Sequence, residues 1–412
     1  MPVSPKLFAN KKITLTLMLI SLTALCIVVI KPVWASGDSW ALKAPMHEAR
    51  AHLGVTVANG KIYAIGGSTE SGQWTISNGF IGTVTGGFVG TNEEYDPATD
   101  TWTLKKPMPT PRAGFAIAAY QNKIYCIGGL TSNGSVTGVN EIYDPATDMW
   151  ETKAPMPAAT WQVKANVVNG KIYVIDYSGT NYVYDPTSDS WTIKAKAPMT
   201  ILGTDYVSAV VDGKIYVIGG ISKSQDFILN QIYDAEADKW SLGAPPPSSV
   251  GVGGGGVGAA GATTGEMAPK RIYVLANIAY FIENKPPDSN RIYDPASDSW
   301  TFGASMPTIR VNFGVAVVND TLYAIGGGRS DNAIIGFFTP SAVNEQYTPI
   351  GYGTISQPSL STSPSPSASQ QPTQSPQPQP ELVYATAASA AAITIVAVTA
   401  VVLKKRHQKN TS

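Results

Sequence analysis

The chain has 412 residues, and its 29 lysines and arginines balance its 29 aspartates and glutamates, so no global electrostatic field argues for nucleic acid. Its two cysteines are too few for a disulfide framework, and the fold must therefore be stabilised by burial. The 39 glycines, 30 prolines and 19 tyrosines are typical of many short strands joined by tight turns.

The first 35 residues resemble an export signal. Basic residues precede an uninterrupted apolar run, Ile13–Ile30, and small residues surround Ala35, after which cleavage is expected. The run is longer than the ~7–15 apolar residues of a typical signal and approaches the ~20 that span a bilayer, so an uncleaved anchor is an alternative. Both interpretations keep the lysines inside and place residue 36 onward outside.

Two phrases repeat through the middle of the chain and predict its architecture. In Asn59–Gly67 an Asn-Gly pair separates two apolar runs, which is a strong hairpin signal because both turn residues need positive φ. The second phrase, Asn140–Trp150, places Tyr seven residues before Trp. It recurs at Asn92–Trp102, Asn181–Trp191, Asn230–Trp240 and Asn290–Trp300. With two hairpins in each repeat of about 50 residues, we expect four strands per repeat.

Radial stacking of four-stranded units buries both faces of each sheet. The order of an arginine, a hairpin, Gly-Gly, Asn-x-x-Tyr-Asp-Pro and Asp-x-Trp resembles the kelch repeat over about Asp38–Tyr352. The resemblance implies an all-β fold, a six-bladed kelch-type β-propeller over residues 36–352. The recurring asparagines that begin the second phrase are interpreted as structural, because they repeat round the whole ring.

The sixth copy of the second phrase is split. Asn344–Tyr347 carries its first half, and Asp38–Trp40 carries its second half. We therefore predict that an N-terminal strand holding Trp40 completes the last blade beside Tyr347 and closes the ring.

Blades three and five depart from the pattern. Asp176-Tyr177 and Ala276-Asn277 stand where other blades have Gly-Gly, and the first strand of blade five is assigned to the glycine-rich Gly251–Gly261. Its G-x-G-x-x-G match is interpreted as accidental, since no βαβ unit surrounds it.

Binding is expected on the face that carries the blade-to-blade connections and the loops between strands two and three. Insertions accumulate there, and function concentrates on variable loops held by a rigid scaffold. The insertions are Ser68–Thr91, Ile278–Ser289 and Arg329–Val343.

Three arginines are candidate ligands for an anion. Arg50, Arg112 and Arg310 precede the strand-two tyrosine by thirteen residues in three neighbouring blades, and His52 and Asn312 follow two positions later. Such a group would suit a carboxylate or an acidic sugar, and resembles the arginines of kelch repeats that bind acidic peptides. The alternative is structural, with each arginine holding an inter-blade loop by hydrogen bonds.

No cofactor or metal is expected. His47 and His52 lie five residues apart without a clear third ligand. Asn133 and Asn319 begin glycosylation sequons in the part expected outside the membrane.

The C-terminal residues predict a stalk and an anchor. Residues 353–380 are rich in Ser, Pro and Gln and cannot bury enough apolar surface to fold. Leu382–Leu403 carries no charge and is long enough for a transmembrane helix, and the basic residues 404–412 predict a cytoplasmic tail.

The leading hypothesis is a cell-membrane protein, single-pass or two-pass if residues 1–35 stay uncleaved, with an extracytoplasmic propeller. It would bind an extracellular protein or a glycan without catalysis, and no nucleic acid. The first alternative is a carbohydrate-active enzyme resembling the six-bladed sialic acid mutarotase, with Asp205 and Glu48 as candidate carboxylates. The second alternative is a structural protein of the cell envelope.

Overall fold

The computed structural model describes residues 37–70, 72–73, 76–77, 80–81, 87–198, 202–221, 229–247, 251–252, 256–275, 290–329 and 337–354. The predicted signal or anchor, the predicted membrane span, the basic tail and almost all of the predicted stalk lie outside these ranges. Within them, no helix has the length and apolar character needed to cross a membrane.

Six four-stranded antiparallel sheets form the predicted ring, and strands one to four of each run from the inside outward. Blade one consists of Gly54–Ala58, Lys61–Ile65, Asn92–Asp96 and Thr101–Lys105. Blade two consists of Ala116–Tyr120, Lys123–Ile127, Asn140–Asp144 and Met149–Lys153. Blade three consists of Lys164–Val168, Lys171–Ile175, Asn181–Asp185 and Ser190–Lys194.

Blade four consists of Leu202–Val211, Lys214–Ile221, Asn230–Asp234 and Lys239–Leu242. Blade five consists of Ala259–Ala262, Ile272–Leu275, Asn290–Asp294 and Ser299–Phe302. Blade six consists of Gly314–Val318, Thr321–Ile325, Asn344–Thr348 and, from the start of the chain, Ser39–Lys43. The all-β, six-bladed prediction is confirmed.

Shorter strands lie between the blades. They are Gly72–Gln73, Ile76–Ser77, Phe80–Ile81, Arg112–Ala113, Leu130–Thr131, Gly251–Val252, Gly256–Val257, Gly328–Arg329 and Phe337–Pro340.

The strand register divides the ring into two faces. In blade one, Ala58 pairs with Lys61 and Asp96 pairs with Thr101, so the turns after strands one and three lie on one side, which we call the turn face. The other ends of the strands form the loop face. The Asn-Gly turn has the predicted geometry, with φ of 50° at Asn59 and 70° at Gly60.

One set of contacts repeats between neighbouring blades. In blade two, the Trp150 Nε1 donates to the Lys106 carbonyl of blade one at 2.8 Å. The Asp148 carboxylate accepts from the Tyr143 hydroxyl at 2.6 Å and from the Lys106 amide at 2.9 Å. The Tyr143 ring lies 5.9 Å from that of Tyr63 in blade one. The recurring Tyr, Asp and Trp are therefore the means by which each blade binds the one before it.

The repeated asparagines bond to the backbone, as expected from their periodicity. The Asn140 Nδ2 donates to the Ala154 carbonyl at 3.3 Å, and the same carbonyl accepts from Trp191 of the next blade at 2.9 Å. Each asparagine with such a bond thus fixes the carbonyl that receives the neighbouring tryptophan. These asparagines are Asn92, Asn140, Asn230, Asn290 and Asn344.

Ser39–Lys43, the closing strand, joins the two ends of the ring. Trp40 pairs with Tyr347, and their ring centroids are 5.1 Å apart. The Trp40 Nε1 donates to the Ala304 carbonyl of blade five at 2.8 Å. Asp38 has a φ of 54°, like the turn aspartates of the other blades, and accepts from the Tyr347 hydroxyl and the Ala304 amide. The closing strand therefore supplies the aspartate of the repeated contact as well as its tryptophan.

Blade five differs from the sequence-based assignment. Its first strand is Ala259–Ala262, and Gly251–Val252 pairs instead with Gly256–Val257 in a separate ladder. A longer loop replaces the Asn-Gly turn. Its backbone amides from Thr264 to Ala268 surround the buried Asp320 carboxylate of blade six, at 2.5–3.1 Å. These hydrogen bonds join blades five and six, and they are not part of the contacts that repeat between the other blades.

Because of the repeated turn aspartates, we expect the folded protein to lose stability in acid. In five blades the tyrosine hydroxyl, followed by a backbone amide, holds the pKa of the aspartate below its usual value of about 3.9. A lowered native pKa stabilises the fold above the unfolded pKa, and this contribution is lost as pH falls through the native pKa. We expect a melting temperature that holds between about pH 7 and 5 and falls below about pH 4. Asp148→Asn, which keeps the acceptor but cannot titrate, should show a smaller fall. An equal fall would contradict this assignment.

Candidate binding face and channel mouth

Arg50, Arg112 and Arg310 occupy equivalent positions before strand one of their blades, and all three are fully buried. Each guanidinium forms an ion pair with a buried glutamate that directly follows the strand-three asparagine. The pairs are Arg50–Glu93 at 2.9 Å, Arg112–Glu141 and Arg310–Glu345 at 2.8 Å.

Backbone carbonyls accept further guanidinium hydrogens. Arg112 donates to the carbonyls of Cys126 at 2.8 Å and of Gly128 and Thr110 at 2.9 Å. These bonds tie the inter-blade connection to strand two, and they match the structural alternative. An external anion would compete with Glu141 for a charge that is already neutralised. The anion-binding hypothesis for the three arginines stays a prediction.

The Gly-Gly pairs explain how these connections reach the next blade. The Gly67 amide donates to the Arg112 carbonyl at 3.0 Å, and the Gly129 amide donates to the Thr160 carbonyl at 2.8 Å. A Cβ on Gly66, whose φ is 60°, would lie 2.8 Å from the same Arg112 oxygen. Glycine is therefore required where the backbones of two blades meet.

His52 and Asn312 belong to a backbone collar at the channel mouth, formed by His52, Gly114, Gln162 and Asn312. All four residues have φ between 55° and 63°. The His52 amide donates to the Asn312 carbonyl at 2.9 Å, the Gly114 amide to the His52 carbonyl at 2.9 Å, and the Gln162 amide to the Gly114 carbonyl at 2.5 Å. The collar places three different side chains and one glycine at equivalent positions in neighbouring blades.

Polar collar side chains stand above an apolar channel. A cavity of about 40 Å³ is lined by the collar and by Lys164. It adjoins a cavity of about 160 Å³ that is lined mainly by small and aliphatic side chains of the first strands, among them Val55, Ile117 and Val207. Burial, together with the Lys164 charge, lowers the pKa of His52 to about 3. His52 is therefore neutral near pH 7, and Lys164 supplies positive charge at the mouth.

A small apolar cluster lies beside the collar on the loop face. Phe88, Ala113 and Leu130 are buried against Trp161, which stays partly exposed. They line a narrow cleft that reaches His52. Together, the cluster and the collar offer aromatic and amide groups at one surface, a composition that suits a protein partner.

Insertions of two blades meet on the loop face. Phe337 and Phe338 of the blade-six insertion pair with Gln73 and Gly72 of the blade-one insertion. The predicted variable loops therefore join across the seam between the first and last blades.

The other candidate residues are dispersed. Glu48 accepts from the Thr91 hydroxyl at 2.5 Å, and the Asp205 side chain lies outside the described residues. Asn133 is exposed on the loop face, whereas Asn319 is exposed in a turn of blade six. The glycosylation of both stays a prediction. His47 bonds to Glu93 at 2.7 Å, and the described ranges contain no cluster of three or more His, Cys, Asp or Glu side chains suited to a metal ion.

Sequence reasoning placed His52 and Asn312 at the mouth but missed Trp161, Gln162 and Lys164. Blade three lacks the arginine that marked the other positions. The signal that could have found them is Gln162 itself, which stands two residues after Thr160 as His52 stands two after Arg50.

The fold and its repeated contacts define a six-bladed β-propeller. The family model described as the kelch motif matches residues 49–109, 111–157 and 203–247, so the chain contains kelch motifs. Among solved structures, that of YjhT superposes with a TM-score of 0.54 at 17% identity, covering 72% of this chain and 95% of YjhT. At this identity the likeness shows the fold alone.

Several curated proteins are similar to this chain over one aligned stretch each. Beta-scruin of Limulus polyphemus is 37% identical over 97 residues, which are 24% of this chain and 9% of beta-scruin. The influenza virus NS1A-binding protein homolog of Xenopus laevis is 40% identical over 91 residues, 22% of this chain and 11% of that protein. Kelch-like protein 15 of Danio rerio is 34% identical over 98 residues, 24% and 15% of the two chains. The alignments thus span a small part of each relative.

Proposed function

We propose that this protein is a non-catalytic binding module that recognises a protein partner through its loop face and channel mouth. One observation carries the proposal. At equivalent collar positions the residue differs from blade to blade, as His52, Gly114, Gln162 and Asn312. Information that could distinguish one partner from another is therefore concentrated at the mouth.

The turn face lacks this variation, which supports the assignment of binding to the loop face. Its charged side chains pair across neighbouring strands, as Lys61–Asp96 and Lys171–Asp185, both at 2.5 Å, and Arg271–Asp294 at 3.1 Å. Apart from the longer blade-five loop around Asp320, its turns are short and repeat from blade to blade. This face offers a nearly constant surface with matched charges, which suits a scaffold better than a specific binding site.

The chemistry of the mouth favours a protein over a sugar substrate. Among the described residues, the candidate carboxylate Glu48 is held by Thr91, and His52 is neutral. One relative is named as the homolog of a protein that binds the influenza virus NS1A protein, which supports a protein partner by analogy.

The proposal includes an extracytoplasmic location, which the export signal and the apolar span of the sequence support. Gly37 lies against Pro349 at the turn face, and the backbone from Gly351 to Thr354 contacts the blade-five loop on the same face. Both ends of the described propeller therefore lie on its turn face, opposite the loop face proposed for binding.

Site-specific photo-crosslinking tests the binding face. The full chain would carry a photoreactive amino acid at Trp161, in the loop-face cluster, or at Met149, an outer-strand residue with 54% of its surface exposed. We expect a protein adduct of defined mass from position 161 and none from position 149. Equal adducts from both positions would refute the assignment to the loop face. A glycan array probed with the full chain tests the sugar alternative, and protease treatment of intact cells tests the location separately.

A further inference from the structure

The outermost strand of blade five has an unusual composition. Strand four of every blade is bonded along one edge to strand three and presents its other edge outward. Charged residues, especially lysines, at such edges prevent pairing with other chains. Of the six outer strands, Ser299–Phe302 is the one without a charged residue. The charges of the other five are Lys43, Lys105, Glu151, Lys153, Lys194 and Lys239.

The hydrogen-bond pattern shows which groups of this strand face outward. The Gly303 amide donates inward to the Asn290 carbonyl at 3.0 Å. Because residues of an antiparallel strand point alternately to its two edges, Thr301 also faces inward. The backbone amides and carbonyls of Trp300 and Phe302 therefore face away from blade five.

Apolar side chains accompany these outward groups. Phe302 is 46% exposed, and Trp300, on the same side of the strand, is partly exposed. Leu42, Leu104, Ile193 and Leu242 are also exposed at the equivalent position. A lysine directly follows the first three, and in blade four, where Gly243 follows Leu242, Lys239 lies at the start of the strand. In blade five Gly303 follows Phe302, and the described strand Ser299–Phe302 holds no lysine at either position.

We propose that this edge pairs with the same edge of a second copy of the chain. A twofold axis through Thr301 makes the two strands antiparallel and places Trp300 of each copy opposite Phe302 of the other. The outward amides and carbonyls of these residues then bond to each other, and two aromatic cross-strand pairs form on one face of the joined sheet. An uncharged strand matches itself without burying a charge, which is why a second copy suits this edge.

The predicted dimer is weak. Specific interfaces bury roughly 1,200–2,000 Å², and two four-residue strands bury less. Association therefore needs a high local concentration, such as that of two copies held on one surface. The dimer leaves the loop faces of both copies free and does not depend on the proposed binding function.

Disulfide trapping tests the pairing directly. In the proposed dimer the two Thr301 residues form a non-hydrogen-bonded pair with a Cα separation of about 4.5 Å, within the ~4.4–6.8 Å range of disulfides. Thr301→Cys would be made in the full chain with Cys26→Ser, and oxidised in the membrane fraction or in detergent. Thr103→Cys and Thr192→Cys are matched controls, because both threonines occupy the same exposed position in charged outer strands.

We expect Thr301→Cys to give at least about tenfold more covalent homodimer than either control, since only that cysteine is held next to its copy. Adding Phe302→Lys, a change at an exposed position, should reduce the cross-link to the control level, whereas Leu104→Lys should not. Equal cross-linking of the three cysteines, no reduction by Phe302→Lys, or an adduct whose mass shows a different protein would each overturn the proposal.

Discussion

Replacing Trp40 with alanine is expected to lower the free energy of unfolding by about 2–4 kcal/mol, somewhat less than the loss for a fully buried aromatic side chain, because the indole is partly buried. The indole packs against Tyr347 at 5.1 Å and bonds to the Ala304 carbonyl at 2.8 Å. It lies on the one strand that joins the two ends of the ring. Its loss therefore weakens the closure as well as one contact between blades.

Chemical denaturation of the full chain would measure this effect, with Trp150→Ala as the matched control. Trp150 makes the same bond to Lys106, at 2.8 Å, but lies within a continuous part of the chain. We expect Trp40→Ala to destabilise at least as much as Trp150→Ala. A Trp40→Ala protein that unfolds like the wild type would refute the closure.

Replacing Arg112 with alanine is expected to cost about 3–5 kcal/mol, because it leaves the Glu141 carboxylate buried without its partner. Both side chains are almost inaccessible to solvent, and the guanidinium also holds three backbone carbonyls. Replacing both residues, as Arg112→Met with Glu141→Leu, should recover part of the loss, since no unpaired charge remains.

The measurement is again the free energy of unfolding, with Lys123→Ala as a control. Lys123 lies 3.4 Å from Asp144 at a half-exposed surface site, and its loss should cost less than about 1 kcal/mol. If Arg112→Ala were as stable as the wild type, the ion pair would contribute little. The arginine would then be a better candidate for the predicted anion site than its buried bonds suggest.

The sequence predicted the ring because its signals are local and repeated. Each hairpin is encoded by adjacent residues, and the spacing of Asn140–Trp150 alone fixes strands three and four. The split copy of this phrase was enough to place Trp40 beside Tyr347. Each of these inferences needed only residues that are close in sequence or that repeat with a constant period.

The candidate site was less predictable because it depends on contacts between distant residues. The charge of Arg112 is neutralised by Glu141, which is 29 residues away, and no local sequence pattern indicates that the two residues pair. The collar depends on a backbone conformation that His52, Gln162 and Asn312 share although their side chains differ. In blade five, the glycine-rich run satisfied a strand pattern, but Ala259–Ala262 forms the strand beside Ile272–Leu275.

The closing strand also determines how the ring responds to tension. The chain enters the propeller at Gly37, and Ser39 pairs with Thr348 at the same end of the two strands. After Thr348 the chain keeps one bond to blade five, from the Gly353 amide to the Met267 carbonyl at 2.7 Å. A force that pulls the two ends apart must break this bond, and it then loads the Ser39–Thr348 pair and each following pair in turn, up to Lys43 and Asn344. Such a peeling load meets less resistance than a shearing load, which strains all pairs together. If both ends are tethered, lateral stretching of the tethers would open the ring at Trp40 while the other blades stay folded.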